Sequence, residues 1–179
     1  MKTRRVVTGV GVNGKSQVLM DGPVPRTVDF KSTQGYAAAL VWSTAVGAPM
    51  PTGANIIDRS PEVSFVPSVG EALVMIVTFP PDSIMMRADF DAAAFGAEFA
   101  QRLPGLAEAF ESDHPGMHTT NTVDYDIVLE GEVTLELDDG QEVLLHKHDV
   151  VVQHGNRHAW RNKSDKSATL MFVLTGARQ

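Results

Sequence analysis

Residues 114–132 read HPGMHTTNTVDYDIVLEGE, a polar segment with two histidines that continues directly into a strand-like apolar pattern. Side chains of the same parity point to the same side of a strand, so His118, Thr120 and Asp124 can all face one interior. An imidazole and a carboxylate are two of the donors that first-row transition metals accept in proteins. The stretch therefore poses the question of whether His118 holds a metal ion, and what else completes the site.

The sequence around and after this stretch is patterned as a series of short strands. The predicted strands are residues 124–129, 132–137, 150–153, 159–161 and 169–174. Asp138-Asp139-Gly140 is a hairpin signal between two strands. Short strands at such close spacing predict a sandwich or a closed barrel and not a parallel α/β sheet.

The first third of the chain is rich in Gly, Pro, Ser and Thr and carries a second group of β-like segments. The turn signal Asn13-Gly14 between residues 5–10 and 16–20 predicts a hairpin. A further strand is expected at residues 36–44, followed by a loop at residues 45–62, and the next part of the chain begins with a strand at residues 71–79. The strands within residues 1–44 are expected to add to the edges of the barrel.

Between the two groups of strands, apolar residues recur at a helical spacing. They are separated by three or four positions each: Phe95, Phe99, Leu103, Leu106 and Phe110. Asp89 or Asp91 can cap the start, and Pro104 is expected to split the run into two helices. A helix packed on a sheet explains this stripe better than the lining of a ligand pocket does.

The composition argues against several classes of site and partner. The chain of 179 residues contains no cysteine, which excludes thiolate catalysis, disulfides and cysteine-ligated zinc or iron–sulfur sites. A formal net charge of −7 argues against binding to nucleic acid through its phosphates. The longest strongly apolar run, residues 72–77, is far shorter than the roughly 20 residues that cross a bilayer. We therefore expect a soluble cytoplasmic protein that binds neither nucleic acid nor membrane.

The opening stretch resembles the first motif of the cupin superfamily, whose members are small jelly-roll β-barrels with a metal or ligand site inside. That motif runs His-x-His, three or four residues, Glu, six residues, Gly. His118, Asp124 and Gly131 stand in register with the first His, the Glu and the Gly. Thr120 takes the place of the second His, so one family ligand is absent.

A second stretch resembles the second cupin motif, which ends Pro-x-Gly, two residues, His, three residues, Asn. Gly155, His158 and Asn162 match it at full spacing, with Gln153 in place of the Pro. The resemblance extends to residues 72–82, which look like the barrel strand that precedes the first motif. Two motifs in order, at an ordinary separation, make the resemblance fairly specific.

The resemblance implies a mainly β fold, a single cupin jelly-roll barrel over residues 1–179. Residues 1–64 would supply extra N-terminal strands and loops, and residues 65–179 would form the barrel. A short helical insertion at about 88–112 would precede the first motif.

The resemblance also implies a divalent metal ion, with Fe, Mn, Ni and Zn equally compatible, held by His118, Asp124 and His158. Two imidazoles and one carboxylate leave positions open for water, substrate or O2, which is typical of a catalytic site. Asp126 shares the parity of Asp124, and a buried carboxylate needs a partner, such as the free ring nitrogen of a ligand histidine. The expected substrate pocket consists of Thr120, Asp126, Gln153 and Trp160.

The other histidines are expected to lie outside this site. His146 and His148 fall where cupins have a turn, which favours a solvated position. His114 is expected in a loop, and His154 at the surface or beside the site.

Three function classes remain open. The first is a metal-dependent enzyme acting on a small oxygenated organic molecule, either of dioxygenase type or of lyase, decarboxylase or isomerase type. The second is a non-catalytic small-molecule-binding cupin. The third is a metal-free, epimerase-like cupin in which a His–Asp pair acts as the base. The resemblance further implies a homodimer that forms through the N-terminal strands of residues 1–44.

Overall fold

The computed structural model describes residues 2–50 and 56–178, and within them the chain is mainly β, as predicted. A single α-helix interrupts eleven strands in the described residues. The elements are β1 (Arg4–Val10), β2 (Ser16–Pro23), β3 (Arg26–Asp29), β4 (Ala37–Thr44), β5 (Ala72–Phe79), α1 (Ala92–Arg102), β6 (Thr122–Glu130), β7 (Glu132–Glu136), β8 (Glu142–His146), β9 (Val150–His154), β10 (Ala159–Arg161) and β11 (Ala168–Gly176).

Two sheets enclose the core. The larger sheet has the strand order β3-β4-β5-β11-β6-β9 and the smaller one the order β10-β7-β8, with every neighbouring pair antiparallel. Burial alternates along β11, where every second residue from Ala168 to Gly176 is buried. This period of two places one face of the strand against the core. The predicted cupin-like barrel with extra N-terminal strands and a helical insertion is confirmed.

The chain passes from the larger sheet to the smaller one at Gly131, between β6 and β7. Gly131 has a φ of 76°, and a Cβ at this position would lie 2.8 Å from the carbonyl oxygen of Ser167. Only glycine fits both the left-handed backbone and the close approach. β7 therefore begins in the smaller sheet directly after β6 ends in the larger one.

The N-terminal strands are used in two different ways. β3 and β4 extend the larger sheet, as expected, although β3 was not predicted. β1 and β2 form a separate two-stranded hairpin around Asn13-Gly14, so the expectation that they add to a barrel edge was wrong. The two strands satisfy each other's backbone groups, and Arg5 ties the hairpin to the body through the Val41 carbonyl at 2.8 Å and the Trp42 ring.

The predicted loop at 45–62 includes residues 51–55, which lie outside the described residues. Its described parts, residues 45–50 and 56–62, contain neither helix nor strand.

The helical insertion begins where the sequence indicates and ends sooner. The Asp91 carboxylate accepts a hydrogen bond from the Ala94 N–H at 2.9 Å and caps α1. Beyond Pro104, only a short 3-10 turn forms at Ala107–Ala109, so the predicted second helix is wrong. Gly105, with a φ of 87°, breaks the helical path there. At 11 residues, α1 is too short to span a membrane, and no longer apolar helix occurs in the described chain.

The phenylalanine stripe of this insertion packs on the larger sheet, as expected. Phe95 and Phe99 contact Tyr36 with ring centroids 5.7 and 6.0 Å apart, and Phe99 also contacts Phe110 at 5.1 Å. The resulting aromatic row leads from Tyr36, the residue just before β4, towards residues 110–118, the region that precedes β6.

Asn162, the last residue of the second motif, is a structural residue. Its buried amide donates hydrogen bonds to the carbonyls of Phe79 and Lys166, at 2.9 and 2.7 Å, and accepts one from Ser164. It therefore closes the loop between β10 and β11 and does not point at a ligand.

Candidate functional site

A two-residue backbone bridge brings the two motif histidines together. The N–H of His118 donates to the carbonyl of His158 at 2.9 Å, and the N–H of His158 donates to the carbonyl of His118 at 3.0 Å. Side chains of residues that face each other across such an antiparallel pair lie side by side. The two imidazole centroids are accordingly 4.2 Å apart, and both side chains are buried.

Both imidazoles are held in the same tautomer by backbone carbonyls. Nδ1 of His118 lies 3.1 Å from the Gly116 carbonyl oxygen, and Nδ1 of His158 lies 3.0 Å from that of Asn156. Because a carbonyl only accepts, each Nδ1 carries the hydrogen and each Nε2 keeps its lone pair in the neutral ring. This is the arrangement in which an imidazole binds a metal through Nε2.

Burial keeps both histidines neutral. It lowers the pKa of His118 to about 4, with a further contribution from neighbouring His158, and it also lowers the pKa of His158. A neutral imidazole is available as a ligand without first losing a proton.

Aromatic rings flank the histidine pair on both sides. The Phe110 ring stacks on His118 with centroids 4.4 Å apart and an interplanar angle of 21°. Trp160 meets His158 edge to face at 5.9 Å, and on its other side contacts Phe172. These rings restrict the orientations of both imidazoles. Phe110 was predicted only as part of the helical stripe, and its contact with His118 has no sequence signal of its own.

Two carboxylates of β6 face the same interior. Asp124 and Asp126 are 5% and 1% exposed, and each has one oxygen, Oδ1, that is buried without a hydrogen-bond partner. Burial raises the pKa of Asp124 to about 6. Burial, together with the charge of Asp124, raises the pKa of Asp126 to about 7. Two orphaned anionic oxygens in one interior are costly unless a cation or a proton compensates them.

Gln153 on β9 connects one of these carboxylates to the histidine pair. Its side-chain Nε2 donates to Asp126 Oδ2 at 2.8 Å and lies 3.2 Å from His158 Nε2. The amide therefore bridges a carboxylate oxygen and the lone pair of an imidazole. Asp126 was expected to pair with the free ring nitrogen of a ligand histidine, but both Nδ1 atoms are bonded to backbone carbonyls instead.

A pair of threonine hydroxyls lies beside the carboxylates. Thr120 Oγ1 and Thr122 Oγ1 are 2.7 Å apart and both side chains are buried. The Thr122 hydroxyl also hydrogen-bonds Asp124, which lowers the pKa of that carboxyl against the effect of burial. Thr122 was missed from the sequence, although its parity with Asp124 and Asp126 was the available signal.

The structure brings some of the predicted site residues together more closely than others. His118 and His158 adjoin, and Asp126 reaches them through Gln153. Among residues 2–50 and 56–178, the ligand atoms of His118, Asp124 and His158 do not all lie within 4.8 Å of one another. Their joint metal binding stays a prediction, as does the substrate pocket of Thr120, Asp126, Gln153 and Trp160.

The one group of three ligating side chains within that distance in the described chain lies elsewhere. It consists of Glu111, Asp113 and His114 on the surface before the first motif. Both Glu111 oxygens already accept hydrogen bonds from Arg157, at 2.6 and 2.7 Å. The charge that a cation would need is therefore largely compensated, and the cluster is solvated.

Two surface cavities approach the barrel. One of about 400 Å³ is lined by Met117, Arg157 and Arg161 among others. A second of about 430 Å³ reaches Gln153 and Asn156, and its apolar wall includes Leu135 and Val151. Neither is lined by His118, Asp124 or His158, so of the site residues only Gln153 borders these openings.

The expected solvated positions of the other histidines are confirmed. Tyr125, which has the opposite parity to Asp124 on β6, is exposed. His114, His146, His148 and His154 are all exposed, and His148 sits in a turn with a φ of 78°.

Residues 109–174 match the family model described as a cupin domain, and this segment contains both histidines, both carboxylates and Gln153. Residues 109–174 therefore form a cupin domain. The family match confirms the resemblance that the two motifs indicate.

Curated relatives of this cupin come from fungi. It is 47% identical over 82 residues to the oryzines biosynthesis cluster protein J of Aspergillus oryzae, covering 42% of this chain and 46% of the relative. It is 44% identical over 61 residues to the cupin-domain-containing oxidoreductase virC of Hypocrea virens, covering 32% and 31%. It is 44% identical over 59 residues to the phomopsin biosynthesis cluster protein D of Diaporthe leptostromiformis, covering 33% and 31%. The chain spans less than half the length of these relatives.

Solved structures similar to this cupin include a putative ethanolamine utilization protein Q from Salmonella typhimurium. It is 12% identical, with 99% of both chains covered and a TM-score of 0.43. A structure of FeII HppE is 15% identical, with 96% of this chain and 56% of that chain covered and a TM-score of 0.40.

Proposed function

We propose that this cupin is a metal-dependent oxidoreductase that acts on a small oxygenated organic molecule. The observation that carries the proposal is the pair of adjoining buried imidazoles, each with Nδ1 bonded to a backbone carbonyl and Nε2 left to accept. Buried histidines in a purely structural role have no need of two matched tautomers beside unpartnered carboxylate oxygens. Relatives named as cupin-domain-containing oxidoreductases support the reaction class.

Imidazole and carboxylate donors fit a divalent metal ion of intermediate hardness, such as a first-row transition metal. His118 Nε2, His158 Nε2 and an Asp124 oxygen would hold it, which is the 2-His-1-carboxylate set of non-haem iron sites. The orphaned Oδ1 of Asp124 supports a positive group at this position. Such an ion supplies Lewis acidity and, if it is iron, a route to O2 chemistry.

The residues around the ligands have separate tasks. The Gly116 and Asn156 carbonyls keep the imidazole hydrogens on Nδ1, which orients the two ligand atoms. Phe110 and Trp160 exclude water from the two ring faces. In the metal-free protein the carboxyl group of Asp126, whose pKa is raised by burial to about 7, can hold or release a proton near neutral pH. Gln153 lines the second surface cavity, and its side-chain amide contacts His158.

The proposed substrate is a small oxygenated molecule because the site interior is rich in hydrogen-bonding groups and flanked by aromatic rings. The hydroxyls of Thr120 and Thr122 and the Gln153 amide are oriented donors or acceptors. Three relatives are named as biosynthesis cluster proteins, which supports a biosynthetic intermediate as the substrate.

Metal analysis of untagged protein tests this function. Wild-type protein should contain about one equivalent of a first-row metal, and His118→Ala and His158→Ala should each lose it. The exposed His146→Ala is the matched control and should keep it. If wild type loaded anaerobically with Fe(II) binds none, or if both site variants keep the metal, the proposal fails. If iron binds, O2 consumption over a panel of diketones, phenols and keto acids identifies the substrate class.

A metal-free, epimerase-like activity is the second candidate, because Asp126 is linked to His158 through Gln153. In that reaction the Nε2 lone pair of His158 would take a proton from the substrate, and the Asp126 carboxylate would stabilise the imidazolium that forms. It predicts that a chelator leaves activity on a keto substrate unchanged. The oxidoreductase proposal predicts that the chelator abolishes activity and that added metal restores it. A cupin that only binds its ligand would give binding without turnover in both experiments.

We also propose that two copies of the chain associate through their N-terminal hairpins. Val6, Val10, Val12 and Val18 on β1, β2 and their connection are exposed, which supports burial against a second copy. Light scattering should give twice the chain mass of 19.3 kDa, and a single chain mass would contradict the association.

A further inference from the structure

The replacement of the second motif histidine by Thr120 leaves the metal site one protein ligand short of the family pattern. The proposed function fills only three positions, with His118, Asp124 and His158. One further buried carboxylate, that of Asp126, lies on the same face of β6, and its contacts differ from those expected of a supporting residue.

Asp126 lies on the ligand side of His158. A carboxylate that merely orients a ligand histidine binds its Nδ1–H, but the Asn156 carbonyl already occupies that position. Asp126 is instead connected to Nε2, the ligand nitrogen, through a single amide group. Gln153 Nε2 is 2.8 Å from Asp126 Oδ2 and 3.2 Å from His158 Nε2.

The Gln153 amide occupies the place of a positive charge. An NH2 group has two hydrogens, and here they meet a carboxylate oxygen and an imidazole lone pair. A cation satisfies the same two atoms more strongly. The bridging amide also explains why the carboxylate and imidazole atoms stand further apart than in a ligand sphere.

The carboxylates of Asp124 and Asp126 have the same pattern of hydrogen bonds. Each carboxylate has one oxygen held by a side chain, Asp124 by Thr122 and Asp126 by Gln153, and each leaves Oδ1 buried and without a partner. A ligating carboxylate is held by its second oxygen in this manner. Two ionised carboxylates and two neutral imidazoles also balance one divalent cation, so that the filled site carries no net charge in its buried surroundings.

We infer that Asp126 is the fourth protein ligand, through Oδ1, and that Gln153 is the positioning residue that holds its Oδ2. With an ion bound, His158 Nε2 would be a ligand instead of accepting from the Gln153 amide, and Gln153 would keep its hydrogen bond to Asp126. The site is then a 2-His-2-carboxylate set that compensates for Thr120. The inference rests on the proposed function, because it assumes that His118 and His158 bind a metal.

Titration with Co²⁺ alone tests the assignment, because the visible absorption of Co²⁺ reports the atoms bound to it. Asp126→Asn should bind Co²⁺ more weakly by more than the roughly 10–100-fold that loss of a supporting residue costs, and its absorption band should differ from that of wild type. Gln153→Ala should weaken binding within that range and keep the wild-type band. Asp82→Asn changes a partly buried carboxylate that accepts a hydrogen bond from the Asn162 N–H and is not one of the proposed ligands, and it should change neither.

An unchanged Co²⁺ band in Asp126→Asn at saturation overturns the assignment, whatever the affinity. A changed band in Gln153→Ala overturns the positioning role. Asp126→Ser should repeat the Asp126→Asn result if the latter variant does not fold, as judged by circular dichroism. Retention of wild-type Co²⁺ binding in His118→Ala and His158→Ala would overturn the proposed function itself. Its loss there, with an unchanged band in Asp126→Asn, would overturn only the fourth ligand.

Discussion

Strand β6 runs through two regions of the barrel interior that are equally buried and chemically opposite. At its apolar end, Val128 is 1% exposed and shares a row across the sheet with Leu170 on β11 and Val77 on β5. At its polar end, Asp126, also 1% exposed, pairs with Phe172. One step along the same face of one strand replaces an apolar side chain by a carboxylate.

The apolar end of β6 stabilises the folded state, and the polar end destabilises it. Each buried side chain of the apolar row stabilises the fold by removing hydrocarbon from water. At the polar end, Asp124 and Asp126 place two interacting carboxyl groups in a medium that disfavours their charge, as their raised pKa values show. A folded protein keeps such a cluster where a ligand compensates it, which supports the proposed binding site at the polar end. The apolar end is the scaffold.

The largest expected effect on stability lies in the apolar row. Leu170→Ala leaves a cavity that the neighbouring side chains do not fill. It should lower the free energy of unfolding by about 3 kcal/mol. For a chain of this size this corresponds to a melting temperature lower by roughly 10 °C. The variant should bind Co²⁺ like wild type below its transition. A large loss of Co²⁺ affinity in the folded variant would show that the two ends are not independent.

At the polar end, removal of a buried carboxylate is expected to raise the stability of the metal-free protein. The size of this gain depends on pH. The folded state raises the pKa of Asp126 from its ordinary 3.8 to about 7, so between these values it binds more protons than the unfolded chain does. The stability of the metal-free protein therefore falls as the pH rises through this window. Asp126→Asn should stabilise metal-free protein at pH 8, by on the order of 2 kcal/mol, and should have little effect at pH 4.

Thermal unfolding at the two pH values, in the presence of a chelator, measures this effect. Asp139→Asn, which changes an exposed carboxyl in a turn where asparagine also tolerates the left-handed backbone, is the control and should have little effect at either pH. Destabilisation by Asp126→Asn at pH 8 would mean that the carboxylate is compensated by the protein itself.

A smaller effect is expected where the two regions meet the helical insertion. Phe110 stacks on His118, so Phe110→Leu should cost about 1 kcal/mol of stability and weaken Co²⁺ binding by less than tenfold. Phe90, which contacts Phe95 on the far side of the insertion, gives the matched variant Phe90→Leu. Equal Co²⁺ affinities in the two variants would show that Phe110 does not contribute to metal binding.

The barrel could be predicted from the sequence because its strands alternate and its turns carry glycine at the required positions. β3 was missed because its four residues, Arg26–Asp29, are too few to show a period. The second helix was wrongly predicted because a stripe of apolar residues continues past Gly105, whose left-handed backbone ends the helical path. The periodicity of apolar residues indicates which face of a segment is buried. It does not indicate whether the helix continues.

The candidate site was predictable in its residues and not in its connections. The parity of β6 indicates that Asp124 and Asp126 face inward, and the motif spacing indicates His118 and His158. The ring hydrogens, however, are held by carbonyls of Gly116 and Asn156, and a backbone carbonyl has no sequence signature. The contact between Gln153 and Asp126 runs diagonally between β6 and β9, since the residue directly opposite Gln153 is Asp124. It depends on a register that only the folded sheet defines.

The most direct test of the central claim is an anomalous difference map, measured at the cobalt edge, from crystals grown with Co²⁺. The account predicts one strong peak inside the barrel, about 2.1 Å from Nε2 of both His118 and His158. Oxygens of Asp124 and Asp126 should complete the sphere. A barrel without a peak, or a single peak at the surface cluster of Glu111, Asp113 and His114, would contradict it.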